Sequence, residues 1–140
     1  MIRVSLIIGI GGFAGTITRF LFHSLISRFY PVAFPAGTFS INLLGCLLIG
    51  VFYALSEKEG LLPPEWRMFL TTGFCGGFTT LSAFSFESVQ LMNAGEYKLM
   101  IVYSFLTVVF GILMTISEIW LTKSIHHVRL TGKFVRPDKD

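Results

Sequence analysis

Apolar residues do not alternate with polar ones along this chain. They gather in four blocks, at about 4–27, 36–56, 68–92 and 99–123, divided by short stretches that carry proline and charge. A hydrocarbon layer about 30 Å thick is crossed by roughly 20 apolar residues rising 1.5 Å each. Each block therefore predicts a membrane-spanning helix. The connections leave no room for a soluble domain, so the expected architecture is all-α: one integral membrane domain over residues 1–140, with four transmembrane helices per protomer and a polar C-terminal tail at 124–140.

The third block departs from this pattern in its middle, Gly73-Phe74-Cys75-Gly76-Gly77-Phe78-Thr79-Thr80, where glycines and hydroxyls replace helix formers. A broken helix is expected over Gly73–Thr80. In hydrocarbon an unpaired backbone group costs several kcal/mol, so irregular chain survives there only where protein buries it or it lines a polar cavity. In transport proteins such a break points to an ion or substrate site.

Composition sharpens the membrane reading. Of 140 residues, 53% are hydrophobic and 14% charged, and the mean hydropathy is +0.72, values that soluble domains of this size rarely reach. The first block lacks a compact basic start and a small-x-small cleavage site, which argues for a retained span rather than a signal peptide. Cys46 and Cys75 fall within spans, with no further ligands for zinc and no reason to meet disulfide geometry. His126-His127, on a basic tail, is expected to be solvated. There is no phosphate loop, activated nucleophile or base at working spacing, so an enzyme is not expected.

Although the sequence pI is about 9.1, the basic residues gather on no surface that could hold a duplex. Positive charge bears instead on orientation, because loops rich in Lys and Arg stay cytoplasmic. Arg3, Lys58, Arg67, Lys123, Arg129, Lys133, Arg136 and Lys139 lie on one side, and Arg19, Arg28 and Lys98 on the other. Without the tail the two sides are equal. Either a fixed orientation with termini inside or a dual topology is compatible with that balance.

Polar residues inside the blocks need a partner or a purpose. Arg19 is placed either to snorkel to an interface or to stand at the mouth of an anion path. Gly11, Gly12 and Gly15 offer a small-residue face for close helix approach. Asn42 is either interhelical glue or an amide donor to an anion. Tyr103, Thr107, Gly111 and Thr115 recur every four residues as one stripe, able to pass a small ion or to bond their own helix's carbonyls. Beyond the break come Ser82 and Phe84, whose electropositive ring edge suits an anion. Glu87 and Glu118 follow nearer the membrane edges.

These motifs resemble the Fluc, or CrcB, family of small fluoride channels. The segments that carry the resemblance are GGFAGTITRF (Gly11–Phe20), GTFSINLLGCLLIG (Gly37–Gly50) and GFCGGFTTLSAF (Gly73–Phe84). The resemblance implies an antiparallel, dual-topology homodimer in a bacterial plasma (inner) membrane. Two narrow pores would let cytoplasmic fluoride leave passively and so relieve its toxicity. It implies a structural Na+ at the dimer centre, held by the backbone carbonyls of Gly76 and Thr79. The anion pathway would be lined by Asn42, Leu81, Ser82, Phe84, Tyr103, Thr107 and Thr115, with Arg19 and Glu87 at a vestibule or pore end.

The chain departs from the family pattern at Leu81, where a phenylalanine is usual, at Ala83, where threonine is common, and at Gly111, where serine would continue the hydroxyl series. Conduction is expected to survive Leu81 with an altered rate. The alternative is a small multidrug-type four-helix exporter, which needs a midplane carboxylate in the first helix to exchange protons for a cationic drug. This first block carries Arg19 instead. A non-transporting assembly subunit would leave the glycine–threonine break without a purpose.

Overall fold

The computed structural model describes residues 1–29, 33–56 and 62–133, with side chains as far as residue 121. Every regular element is helical among the described residues: α1 (Ile2–Phe29), α2 (Ala36–Ser56), α3 (Pro64–Met68), a π-helical segment (Phe69–Cys75), α4 (Gly76–Phe78), α5 (Leu81–Asn93) and α6 (Tyr97–Lys133). Among the described residues three helices are long and apolar enough to cross a membrane: Ile2–Phe29, Ala36–Ser56 and Tyr97–Leu121. Lys58 and the tail after Lys133 lie outside the described residues, as do the side chains of His126 and His127.

Local chemistry sets the ends. Pro35 stands just ahead of α2. Pro64 opens α3 at its first turn, where a missing N–H costs nothing. Gly95, at φ +78°, ends α5 in a left-handed turn; its N–H donates to Met92 O and that of Glu96 to Leu91 O, a Schellman closure that leads straight into α6. α6 runs on to Lys133 rather than ending near residue 123. No glycine or proline interrupts the chain between Gly111 and Gly132.

Small residues bring the helices together. A Cβ at Gly73 would lie 2.8 Å from the Ile8 carbonyl oxygen, and one at Gly15 or Gly77 would meet the Phe74 or Gly12 carbonyl oxygen, so α1 lies directly against the π segment and α4. On the other side α2 and α6 meet closely, because a Cβ at Gly50 would come 3.0 Å from the Thr115 carbonyl oxygen. Backbone approach of this kind is how membrane helices associate when no hydrophobic force drives them.

The break is shorter than the sequence suggests. Gly73 to Phe78 remain helical, first π and then α, and only Thr79 (φ −76°, ψ 157°) and Thr80 (φ −149°, ψ 111°) are extended. Gly73 and Gly77 serve the contact with α1. Two threonines, whose hydroxyls can replace lost backbone partners, make the break itself.

Candidate functional site

Breaking a helix frees the carbonyls before the gap and the amides after it. Here the replacements come from side chains. Thr80 N–H donates to Asn42 Oδ1 at 2.8 Å, and Asn42 Nδ2 donates back to Thr80 O at 3.1 Å, so one amide side chain pairs both backbone groups of Thr80. Thr80 Oγ1 accepts from Ala83 N–H at 3.2 Å and caps α5. The Thr79 hydroxyl donates to Cys75 O at 2.9 Å. Gly45 is small where it has to be, since a Cβ there would meet the Thr79 methyl.

A consequence follows for two carbonyls. In a continuous helix Gly76 O would accept from the N–H of residue 80, and Thr79 O from that of residue 83. Those N–H groups are taken by Asn42 and by the Thr80 hydroxyl. No turn, loop or cap N–H among the described residues donates to either oxygen. A Cβ on Gly76 would meet nothing within 4 Å, so that residue borders open space.

Clefts lie on both sides of Thr80. The larger, about 810 Å³, is lined by Asn42, Gly76, Thr79, Leu81, Phe84, Thr107 and Thr115. The second, about 550 Å³, is lined by Arg19, His23, Thr38, Thr80 and Ser82. Thr80 borders both. Residues that the sequence groups in one path therefore divide around the break, with Ser82 and Arg19 on the side away from Leu81 and Phe84. The Ser82 hydroxyl sits 3.2 Å from that of Thr80, either one able to donate. Leu81 is 76% exposed.

Hydroxyls of the α6 stripe are engaged. Thr107 donates to Tyr103 O at 2.7 Å, and Thr115 Oγ1 lies 3.1 Å from both Gly111 O and Cys46 O. Of the two roles open to these hydroxyls, the structure has them bonding carbonyls, so an anion at either would take its hydrogen from a helix oxygen. Tyr103 is fully buried, its ring centroid 5.1 Å from that of Phe84 and 5.5 Å from that of Phe34.

The Tyr103 hydroxyl donates to Glu87 Oε2 at 2.8 Å, and that of Thr38 donates to Oε1 at 2.6 Å, a length typical of a hydroxyl on a carboxylate. His23 Nε2 stands 4.0 Å from the same Oε1. Glu87 thus joins α1, α2, α5 and α6 rather than ending the path alone. Sequence reasoning missed Thr38 and His23. The spacing of Arg19 and His23, one turn apart on α1, was the available signal for the second.

The profile of the family described as "CrcB-like protein, Camphor Resistance (CrcB)" matches residues 6–119. The fluoride-specific ion channel FluC of Leptospira interrogans serogroup Icterohaemorrhagiae serovar copenhageni is 42% identical over 119 residues, 85% of this chain and 94% of its own. FluC of Phocaeicola vulgatus is 44% identical over 118 residues, covering 84% of this chain and 97% of its own. FluC of Pseudomonas putida is 42% identical over 123 residues, covering 88% and 99%. With the match running from the first helix into the last and taking in the break between them, the chain belongs to the CrcB-like family and is a multi-pass membrane protein.

Proposed function

We propose that this protein is a passive fluoride channel of a bacterial inner membrane, which lets cytoplasmic fluoride leave down its gradient. The observation that carries the reading is the Thr79–Thr80 break, pinned by Asn42 and bordered by clefts on both sides. Fluoride entering a narrow pore has to exchange water for fixed donors. Asn42 spends one Nδ2 hydrogen on Thr80 and keeps the other. The Ser82 hydroxyl and the Phe84 ring edge add further donors, and Arg19 supplies attraction at the mouth. No group needs to cycle through a covalent or protonated intermediate, so this is not an enzyme.

In this reading residues 68–92 form a fourth, broken crossing, and two copies of the chain pair antiparallel to enclose two pores. The open faces of Leu81 and Gly76 support a second copy closing the larger cleft. Na+ is a hard cation that takes oxygen ligands. The carbonyls of Gly76 and Thr79, released by the break, suit it, and a pair from each copy would close the site. When bound, the ion would fix the crossing of two broken helices rather than travel with the anion.

The test is efflux from proteoliposomes with fluoride and chloride electrodes and no proton gradient, with Na+ present and then removed. Rapid fluoride release without chloride, slowed by Na+ removal, is expected. Absence of fluoride release would overturn the reading in favour of an exporter or a non-transporting assembly subunit.

A further inference from the structure

His23 joins two clefts. It lines the one that holds Arg19, Thr38, Thr80 and Ser82, and also a third, about 430 Å³, bordered by Gly37, Glu87, Gln90 and Leu91. Its ring lies against Gly37, where a Cβ would come 2.6 Å from His23 Cδ2, so α2 backs the imidazole, whose Nε2 stands 4.0 Å from Glu87 Oε1. The side chain is 46% exposed and that of Glu87 19%, so both reach the same polar space. The charged groups facing the imidazole are Arg19, one turn back on α1, and Glu87 on α5, whose carboxylate is also bonded by Tyr103 of α6 and Thr38 of α2.

An anion moving from the Arg19 cleft towards the Glu87 end meets attraction first and repulsion second. A fixed carboxylate there is costly to pass in a medium of reduced dielectric constant. The group that can offset it is the imidazole 4.0 Å from Oε1. Histidine is the side chain whose ordinary charge change falls between about pH 5 and 8.

We propose that His23 is a pore-lining residue that sets fluoride conduction by its proton: the imidazolium neutralises Glu87 and extends the positive field of Arg19, whereas the neutral ring leaves Glu87 opposing the anion. The inference rests on the channel reading above. Acid therefore raises the fluoride current and alkali lowers it. The change is binding of one proton at an imidazole nitrogen, drawn from solvent through the cleft.

Planar-bilayer recording of the purified channel in symmetric fluoride, at pH values from 5.5 to 8 equal on both sides, separates the effect from permeation of neutral hydrogen fluoride, which carries no current. The expected result is a current larger at pH 5.5 than at pH 8 by roughly three- to tenfold. His23→Gln should carry a current that does not vary with pH, and His23→Lys one that does not vary but is higher than in His23→Gln. Glu87→Gln should shrink the pH response, because the repulsion it relieves is gone. If His23→Gln fails to assemble, His23→Lys alone decides the matter by its flat profile. A wild-type fluoride current that is independent of pH, or falls in acid, would overturn this proposal and leave the channel reading standing. So would a pH response retained in His23→Lys. No fluoride current at any pH would overturn the channel reading and this inference together.

Discussion

An asparagine amide carries two hydrogens and an oxygen with two lone pairs, and Asn42 gives one hydrogen and one acceptor site to Thr80. Truncation to alanine strands both backbone groups, each worth about 1–3 kcal/mol when left unpaired in a dry site. Asn42→Ala should lower the thermal unfolding midpoint in detergent micelles, and an unchanged midpoint would refute the pinning role. Asn42→Asp keeps the acceptor for Thr80 N–H but loses the donor and adds negative charge, so fluoride efflux should stop; efflux at the wild-type rate would remove Asn42 from the pathway. Leu81 offers no electropositive ring edge, yet it is exposed enough to accept a larger side chain without repacking the protomer. Leu81→Phe should leave the unfolding midpoint in place while raising the fluoride-over-chloride flux ratio; an unaltered ratio would show that this position does not face the anion.

At the scale of elements the glycines before the break divide into two that hold helices together, Gly73 and Gly77, and one that borders space, Gly76. Gly77 meets the Gly12 carbonyl, whereas a methyl group at Gly76 would touch nothing. Gly77→Ala should therefore destabilise the protein by about 1–3 kcal/mol through overpacking, while Gly76→Ala should leave the unfolding midpoint of the protomer near wild type. Equal effects on denaturation would contradict the packing described. The same contrast explains what the sequence disclosed. The second block and α2 share the bounds Ala36–Ser56, since proline and turn residues punctuate that run clearly. The break was legible from glycine and threonine together, but its extent was not, because a glycine required for close approach and one that ends a helix look alike in sequence. The Asn42–Thr80 pair spans 38 residues and the Thr38–Glu87 hydrogen bond 49, so no local pattern announces them. Motif resemblance named the Gly76 and Thr79 carbonyls for the proposed sodium, and the rerouted N–H groups of Thr80 and Ala83 take away their usual helical partners.

For the molecule as a whole, the described fold leaves many large apolar side chains open, among them Phe13 at 70%, Leu81 at 76% and Trp120 at 70%. Lipid and a second copy of the chain are the two solvents available to such faces in a membrane. Because the loops carry nearly balanced Lys and Arg, with the tail supplying the excess, a tag at either terminus should be reachable from both sides of the membrane in cells. A tag reachable from one side alone would contradict the dual topology. Pairing two copies in opposite orientation would bring two Thr79–Thr80 breaks together and make the path equally usable from both sides. The central claim is that this path passes fluoride and refuses larger anions. It is tested most directly by the reversal potential of the purified channel in a planar bilayer with fluoride on one side and chloride on the other. The account predicts a current that reverses at a voltage set by fluoride alone, far from zero; no current, or reversal near zero with both anions carried, would contradict it.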